Sequence, residues 1–325
     1  MSDVQVAVGF RRKAGTYCVV VLACPVVFID DIVDEVDGVK TGALALAHVL
    51  CNRGEAELLA VTACYASPYV AGCIDAINTY YHRRVPVGML HRRSFDTEGS
   101  YAAALCRRFP GACPPGSDVE DSVRVIRRAL AQSEDKSVTF VITGMLSSAA
   151  DLLKSGPDDI SPLDGPTLAE RKIARTIIMA GRFAATWPAP EETECNIIND
   201  VPSAQKVCDA WPGELVFSSY EIGANIITLS EFEQAAYPDN PAAYAYRIHH
   251  PHRHGRESWD LTAMLEAIRP DAGYWYKHDP GTISVDDEGI TRFRTHADGK
   301  HTYLLVRRDY EDVRREIDAL IMEGC

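Results

Sequence analysis

Residues 57–89 read ELLAVTACYASPYVAGCIDAINTYYHRRVPVGM. Glu57–Thr62 predicts a strand, Ala71–Tyr81 a helix and Val85–Met89 another short strand. The alternation continues on both sides. Val19 to Ile29 is rich in β-branched residues and reads as a buried strand that bends at Pro25. Gly42 to Leu50 reads as a helix with small and apolar residues on its inner face. Asp121 to Gln132 is an amphipathic helix with Val123, Ile126, Ala129 and Leu130 inward. Val138–Thr143 is a strand closed by Gly144, and Ser147–Leu153 a helix. Strand Ile173–Ala180, helix Ala204–Ala210 and strand Leu215–Ser218 follow. Residues 92–118, with Pro110, Pro114, Pro115 and Gly116, read as a loop. Such alternation predicts an α/β fold whose central sheet is mainly parallel and flanked by helices.

The chain has 325 residues, no repeat and no linker-like tract, so residues 1–325 are expected to form a single domain. Its formal net charge of −13 repels phosphate backbones and argues against a nucleic-acid partner. No apolar run reaches the roughly 20 residues of a membrane helix. The ten cysteines lack paired spacing, which suits a reducing compartment and a cytoplasmic location. Export is the alternative, because Arg11-Arg12-Lys13 precedes the apolar run Cys18–Phe28. Neither a glycine-rich nucleotide fingerprint nor a serine nucleophile elbow occurs.

Open α/β sheets bind ligands beyond the carboxyl ends of their strands. Three stretches fall there. Asp30, Asp31, Asp34, Glu35 and Asp37 crowd five carboxylates into eight positions. Water, basic partners or a cation must offset their repulsion, and hard oxygen ligands suit calcium. The second stretch is the Gly144 turn. In the third, Glu194 and Asn196 are two apart, so on an extended segment both would face one side and grip two hydroxyls of one sugar. A polar surface loop is the plainer reading of the same pair. Asp260, just before the helix Leu261–Ile268, has the position of an N-cap. His249, His250, His252 and His254 match no closed zinc spacing and are expected on a mobile loop over the site.

These stretches, in order, resemble one family. Val27-Phe28-Ile29-Asp30-Asp31-Ile32, Glu35-Val36-Asp37 and Gly42-Ala43-Leu44-Ala45-Leu46-Ala47-His48 look like the opening of nucleoside hydrolases. Ala56–Thr62, Asp75–Tyr81, Val85–Gly88, Ile142-Thr143-Gly144-Met145-Leu146-Ser147-Ser148, Ile177–Gly181, Glu194-Cys195-Asn196-Ile197 and Ser258-Trp259-Asp260 continue the likeness, with Asp200 and Ala204 fitting as well. The chain thus resembles a divergent member of the inosine-uridine-preferring nucleoside hydrolase family over about residues 27–290, with a C-terminal helix expected at 303–325.

The resemblance implies calcium-dependent hydrolysis of the N-glycosidic bond of a ribonucleoside or related N-riboside, to free base and ribose, in purine or pyrimidine salvage. It makes Asp31 the catalytic aspartate and a Ca2+ ligand, and Asp37 a sugar or calcium contact. Asp260 and the backbone carbonyl of Leu146, or of a neighbour in its turn, are further metal ligands, and one calcium oxygen of the family's set is missing unless Asp34 or Glu35 replaces it. Glu194 and Asn196 hold ribose. The implied partner is a small-molecule nucleoside, and the implied assembly a homo-oligomer, dimer or tetramer.

The departures are specific. The family's first loop usually ends in two adjacent aspartates, but here Gly38 follows Asp37, and Lys40-Thr41 precede the small-residue helix. An impaired, ligand-binding relative or a hydrolase of another N-glycoside is therefore the alternative. Some relatives carry a histidine immediately before the late aspartate. Here Trp259 stands there, and indole donates no proton as a general acid. Either another group protonates the base, or stacking on it by Trp259, Trp187 or Tyr220 assists departure.

Overall fold

The computed structural model describes residues 21–23, 39–92, 94, 101–109, 111, 113–183, 193–230, 237–249 and 255–323. Its strands are β1 (Val21–Ala23), β2 (Ala60–Ala63), β3 (Val87–Met89), β4 (Val138–Ile142), β5 (Ile173–Met179), β6 (Leu215–Ser218), β7 (Ile227–Thr228), β8 (Arg256–Glu257), β9 (Trp275–Lys277), β10 (Gly281–Val285), β11 (Thr291–Thr295) and β12 (His301–Val306). Its helices are α1 (Val39–Asn52), α2 (Val70–Tyr80), α3 (Tyr101–Arg108), α4 (Ser122–Gln132), α5 (Ser147–Lys154), α6 (Gly165–Lys172), α7 (Cys195–Ile198), α8 (Val201–Ala210), α9 (Tyr220–Ala224), α10 (Pro241–His249), α11 (Trp259–Ile268) and α12 (Tyr310–Glu323).

The main sheet runs β11-β10-β12-β6-β5-β4-β1-β2-β3, and β9 adds to β12. From β3 to β12 every pair on this path is parallel; β9, β10 and β11 are antiparallel additions at one side. The expected mainly parallel sheet is present. Its strands are continuously apolar because both faces are covered: all five residues of β4 are buried. Val141 and Ile177 pack beneath α1, α2, α11 and α12, while Phe140, Ile142 and Ile178 pack beneath α4, α5 and α8.

Several expectations need correction. Residues 92–118 are not all loop, because α3 lies inside them; Ala102, Ala103 and Leu105 bury one side, which the prolines that follow at 110, 114 and 115 obscured. The expected C-terminal helix at 303–325 begins only at Tyr310, and residues 303–306 belong to β12. The run Thr302-Tyr303-Leu304-Leu305-Val306 favours a strand through its β-branched and aromatic content. Helix α6 also lay outside the sequence reading, although Asp164 caps it by accepting the Thr167 N–H and proline follows at the second helical position. Of the first predicted strand, only Val21–Ala23 falls within the described residues.

Candidate active site

The chain order of the parallel strands reverses between β1 and β4: β1 leads to β2 and β3 on one side, while β4, β5 and β6 lie on the other. Ligand crevices open at such a reversal, beyond the carboxyl ends. Ala23 of β1 pairs with Ile142 of β4, so Thr143 and Gly144 leave the sheet at this crevice, beside the strand that runs on toward the aspartate-rich stretch. Asp31, Asp37 and Trp187 themselves lie outside the described residues.

Glu194 and Asn196 are both 4% exposed. They are not on the extended segment that the two-residue spacing suggested. Glu194 is the N-cap of α7 and Asn196 lies in its first turn. The Glu194 carboxylate accepts N–H bonds from Asn196 at 3.0 Å, Ile197 at 3.3 Å and Gly181 at 3.2 Å. An anion is favoured there by the unsatisfied N–H groups of a helix start. Gly181 adopts φ +78°, which glycine tolerates and which turns its N–H onto Glu194. Asn196 Nδ2 donates to the carbonyls of Met179 at 2.9 Å and Thr143 at 3.3 Å, and to Met179 Sδ at 3.2 Å. The pair is thus bolted between the carboxyl ends of β4 and β5.

Helix α11 brings Asp260 to the same edge. Thr262 Oγ1 meets Ser218 Oγ at 3.0 Å, at the carboxyl end of β6, while Arg175 near the start of β5 donates to the Ala267 carbonyl at 3.0 Å. The helix therefore runs against the strands and presents its first turn to the crevice. Asp260 is its second residue and 2% exposed. Ser258 holds the cap position and Asp260 lies inside the helix, so Asp260 is not the N-cap that its sequence position suggested. A carboxylate at that depth requires donors or a cation against it.

Leu146 is buried and is the N-cap of α5, and its carbonyl accepts the Ala150 N–H at 2.9 Å. Thr143 is a residue that sequence reading passed over. It is fully buried, its carbonyl faces Asn196, and its hydroxyl has no hydrogen-bond partner among the described residues. Only its place directly before the Gly144 turn could have marked it.

Trp259 is 9% exposed; its ring stacks on Tyr220 at 5.3 Å and lies 5.1 Å from the Arg256 guanidinium. Its indole N–H donates to the Tyr220 carbonyl at 3.0 Å. Gly223 permits this packing, because a Cβ there would strike the Trp259 backbone. Of the histidine tract, His249 ends α10, and His250, His252 and His254 lie outside the described residues.

A second set of polar residues braces the crevice. Arg92 donates to Asp151 at 2.5 Å, to Asp200 at 3.1 Å and to Ser203 at 2.9 Å, and Ser147 donates to Asp200 at 2.5 Å. Burial works to raise the Asp200 pKa, but the hydroxyls of Ser147 and Ser203 together with Arg92 outweigh it and hold the group below the usual carboxylate range. The brace joins the segment after β3 to the starts of α5 and α8. Among the described residues no group of three histidine, cysteine or carboxylate side chains is placed to hold a metal.

The buried Glu194–Asn196 pair, Asp260 and the Thr143–Gly144 turn all lie at the edge where the carboxyl ends of the parallel strands emerge, the edge at which open α/β sheets bind ligands. The chain belongs to the inosine-uridine preferring nucleoside hydrolase family, whose model matches residues 32–318. Its fold is similar to the inosine-uridine preferring nucleoside hydrolase of Bacillus anthracis (TM-score 0.64, 15% identity, covering 95% of this chain and 98% of that one). A plant nucleoside hydrolase gives 0.67 at 15% identity, covering 94% and 99%. The purine-preferring ribonucleoside hydrolase of Gardnerella vaginalis gives 0.64 at 19%, covering 90% and 97%. A search of curated proteins finds no match.

Proposed function

We propose that this protein hydrolyses the N-glycosidic bond of ribonucleosides or related N-ribosides, releasing free base and ribose, with calcium at the crevice. The observation that carries the reading is the burial of Glu194 and Asn196 beside Thr143 at the carboxyl ends of β4 and β5, with Asp260 buried in a helix that starts at the same edge of the sheet. Asp260, Asp31, Asp37 and one carbonyl of the 143–146 turn would hold the ion; carboxylate and carbonyl oxygens are the donors calcium takes. The Thr143 and Leu146 carbonyls each already accept a hydrogen bond, and each keeps a second lone pair that could face the ion. Bound calcium would lower the cost of forming hydroxide from a water molecule and fix two ribose hydroxyls.

The protein's own groups do the rest. Asp31 takes the proton of the attacking water. Glu194 accepts a ribose hydroxyl, its carboxylate aimed by three N–H groups. Asn196, whose Nδ2 faces inward to backbone, uses Oδ1 to accept a second hydroxyl. As the C1′–N bond lengthens, the sugar gains oxocarbenium character that these carboxylates stabilise. Trp259 and Tyr220 form the aromatic wall for the base. The same reading makes residues 1–325 one domain, cytoplasmic and homo-oligomeric.

Ribose release from a nucleoside panel, with calcium and after its chelation, tests the proposal. Release from no nucleoside in calcium would sink it. The Asp37-Gly38 sequence supports a second reading, a relative that binds nucleoside without cutting it. Saturable nucleoside binding without any ribose release would favour that reading.

A further inference from the structure

A cavity of about 580 Å³ opens at the opposite edge of the sheet. Its walls are the segment entering β6 (Pro212, Glu214), the end of β9 and the turn after it (Lys277, Pro280), and the start of β12 with the residue before it (His301, Lys300). β6 and β12 are parallel, so these are amino ends, and the cavity lies across the sheet from Glu194 and Asn196. Glycine shapes the floor, for a Cβ on Gly299 would strike the Gly281 backbone. The volume falls within the ~300–1,000 Å³ typical of small-molecule sites.

The polar groups converge on one ligand type. His301 is 7% exposed, and its Nδ1 accepts the Ile283 N–H at 2.8 Å. An accepting ring nitrogen carries no proton, so the neutral ring bears its proton on Nε2. Burial, the largest influence, keeps the ring neutral by lowering its pKa. Nε2–H has no partner among the described residues, and the ring lines the cavity. Among the described residues the Lys300 ammonium donates only to the Pro212 carbonyl, at 3.4 Å. Lys277 holds Glu214 at 3.3 and 3.5 Å. Charge-assisted bonds settle near ~2.7–2.9 Å, so both ammonium groups retain capacity for a better acceptor. The site brings two cations, one carboxylate and a neutral N–H donor together on a chain of net charge −13.

We propose that this cavity is a second binding site, for a small phosphomonoester. Its phosphate sits on Lys277, Lys300 and His301 Nε2–H, and its organic body lies between Pro212 and Pro280. Nucleoside monophosphates and sugar phosphates share this chemistry.

Calorimetry on the full chain at fixed ionic strength tests it, with adenosine 5′-monophosphate, ribose 5-phosphate, adenosine and inorganic phosphate as titrants. At least one phosphomonoester is expected to bind more tightly than both adenosine and inorganic phosphate. Which of the two binds identifies the source. Lys277→Ala and Lys300→Ala should each weaken that binding by about 10-fold, the worth of one hydrogen bond to a charged group. Glu214→Gln should tighten it by removing the competing carboxylate. His301→Gln should retain part of the affinity that His301→Phe loses. Asn196→Ala should leave it unchanged. No heat with either phosphomonoester overturns the proposal. So does binding that survives the Lys277→Ala/Lys300→Ala double variant, or that disappears with Asn196→Ala.

Discussion

Asn196 directs its amide hydrogens into the protein, toward Met179 and Thr143, and this changes what its removal does. Asn196→Ala leaves buried carbonyls unsatisfied, so it should cost about 1–3 kcal/mol of stability. It should also lower kcat/KM about 10-fold or more through the lost sugar contact. Denaturant melts and kinetics on the same preparation check both; unchanged kinetics on every hydrolysed nucleoside would remove Asn196 from the site. Trp259 supports a second expectation. Its N–H is already donated to the Tyr220 carbonyl, and an indole offers no other proton. Departure of the base then depends on its own leaving ability. p-Nitrophenyl riboside should be cut at least ~100-fold faster than uridine, the lower end of what general acid help supplies. Similar rates would reveal another acid, to be sought among His249, His250, His252 and His254.

Helices α1 and α2 meet at His48, which bonds Asn78 Oδ1 at 2.8 Å and stacks on Tyr81 at 5.0 Å. Desolvation, opposed by the Asn78 bond and aided by the Arg83 charge, lowers its pKa to about 4. A folded pKa below the unfolded one means that the unfolded chain takes up the proton first. Stability should therefore fall as pH drops from about 6.5 to 4, by roughly 3 kcal/mol at most from this group. His48→Gln should flatten that window in urea melts; an unchanged slope assigns it elsewhere. The Arg92 brace works between elements as well. The depressed Asp200 pKa means that its contribution is present above the unfolded carboxylate range and lost as pH falls through the folded value. Asp200→Asn should thus lower Tm at pH 7 and erase part of the acid-induced loss below pH 4. If the variant and the wild type melt alike at both pH values, the brace carries no stability.

For the whole molecule, the test is calcium. A ligand that binds only the folded state raises Tm, by about 2.7 kcal/mol of stability at one hundred times its Kd. Metal-stripped protein should show a saturable heat and a higher Tm in millimolar calcium, both lost in the Asp31→Asn/Asp260→Asn double variant. Absence of either signal in the wild type would leave the Asp260 crevice as a metal-free sugar site.

Local chemistry was enough for much of this protein. Residues 57–89 carry their own strand–helix–strand pattern, and continuous burial of strands such as β4 makes apolar runs visible without any partner. Glu194, Asn196 and Asp260 stand out as polar groups in ordered motifs. Their geometry was not legible. A two-residue spacing has one meaning on a strand and another at a helix start, and Glu194 became a cap only because Gly181 and the first turn of α7 supply N–H groups to it. Arg92 gave no sign in the sequence and Thr143 only its place before the Gly144 turn, since an arginine or a threonine acquires its role from what burial and neighbours leave beside it. The amino-end cavity is tertiary in the same sense: Glu214, Lys277 and His301 are far apart in sequence and meet only because β6, β9 and β12 lie side by side. Sequence determines which segments can be buried and with what period. Which side chains face one another across the sheet depends on strand order, a long-range property that no local pattern encodes.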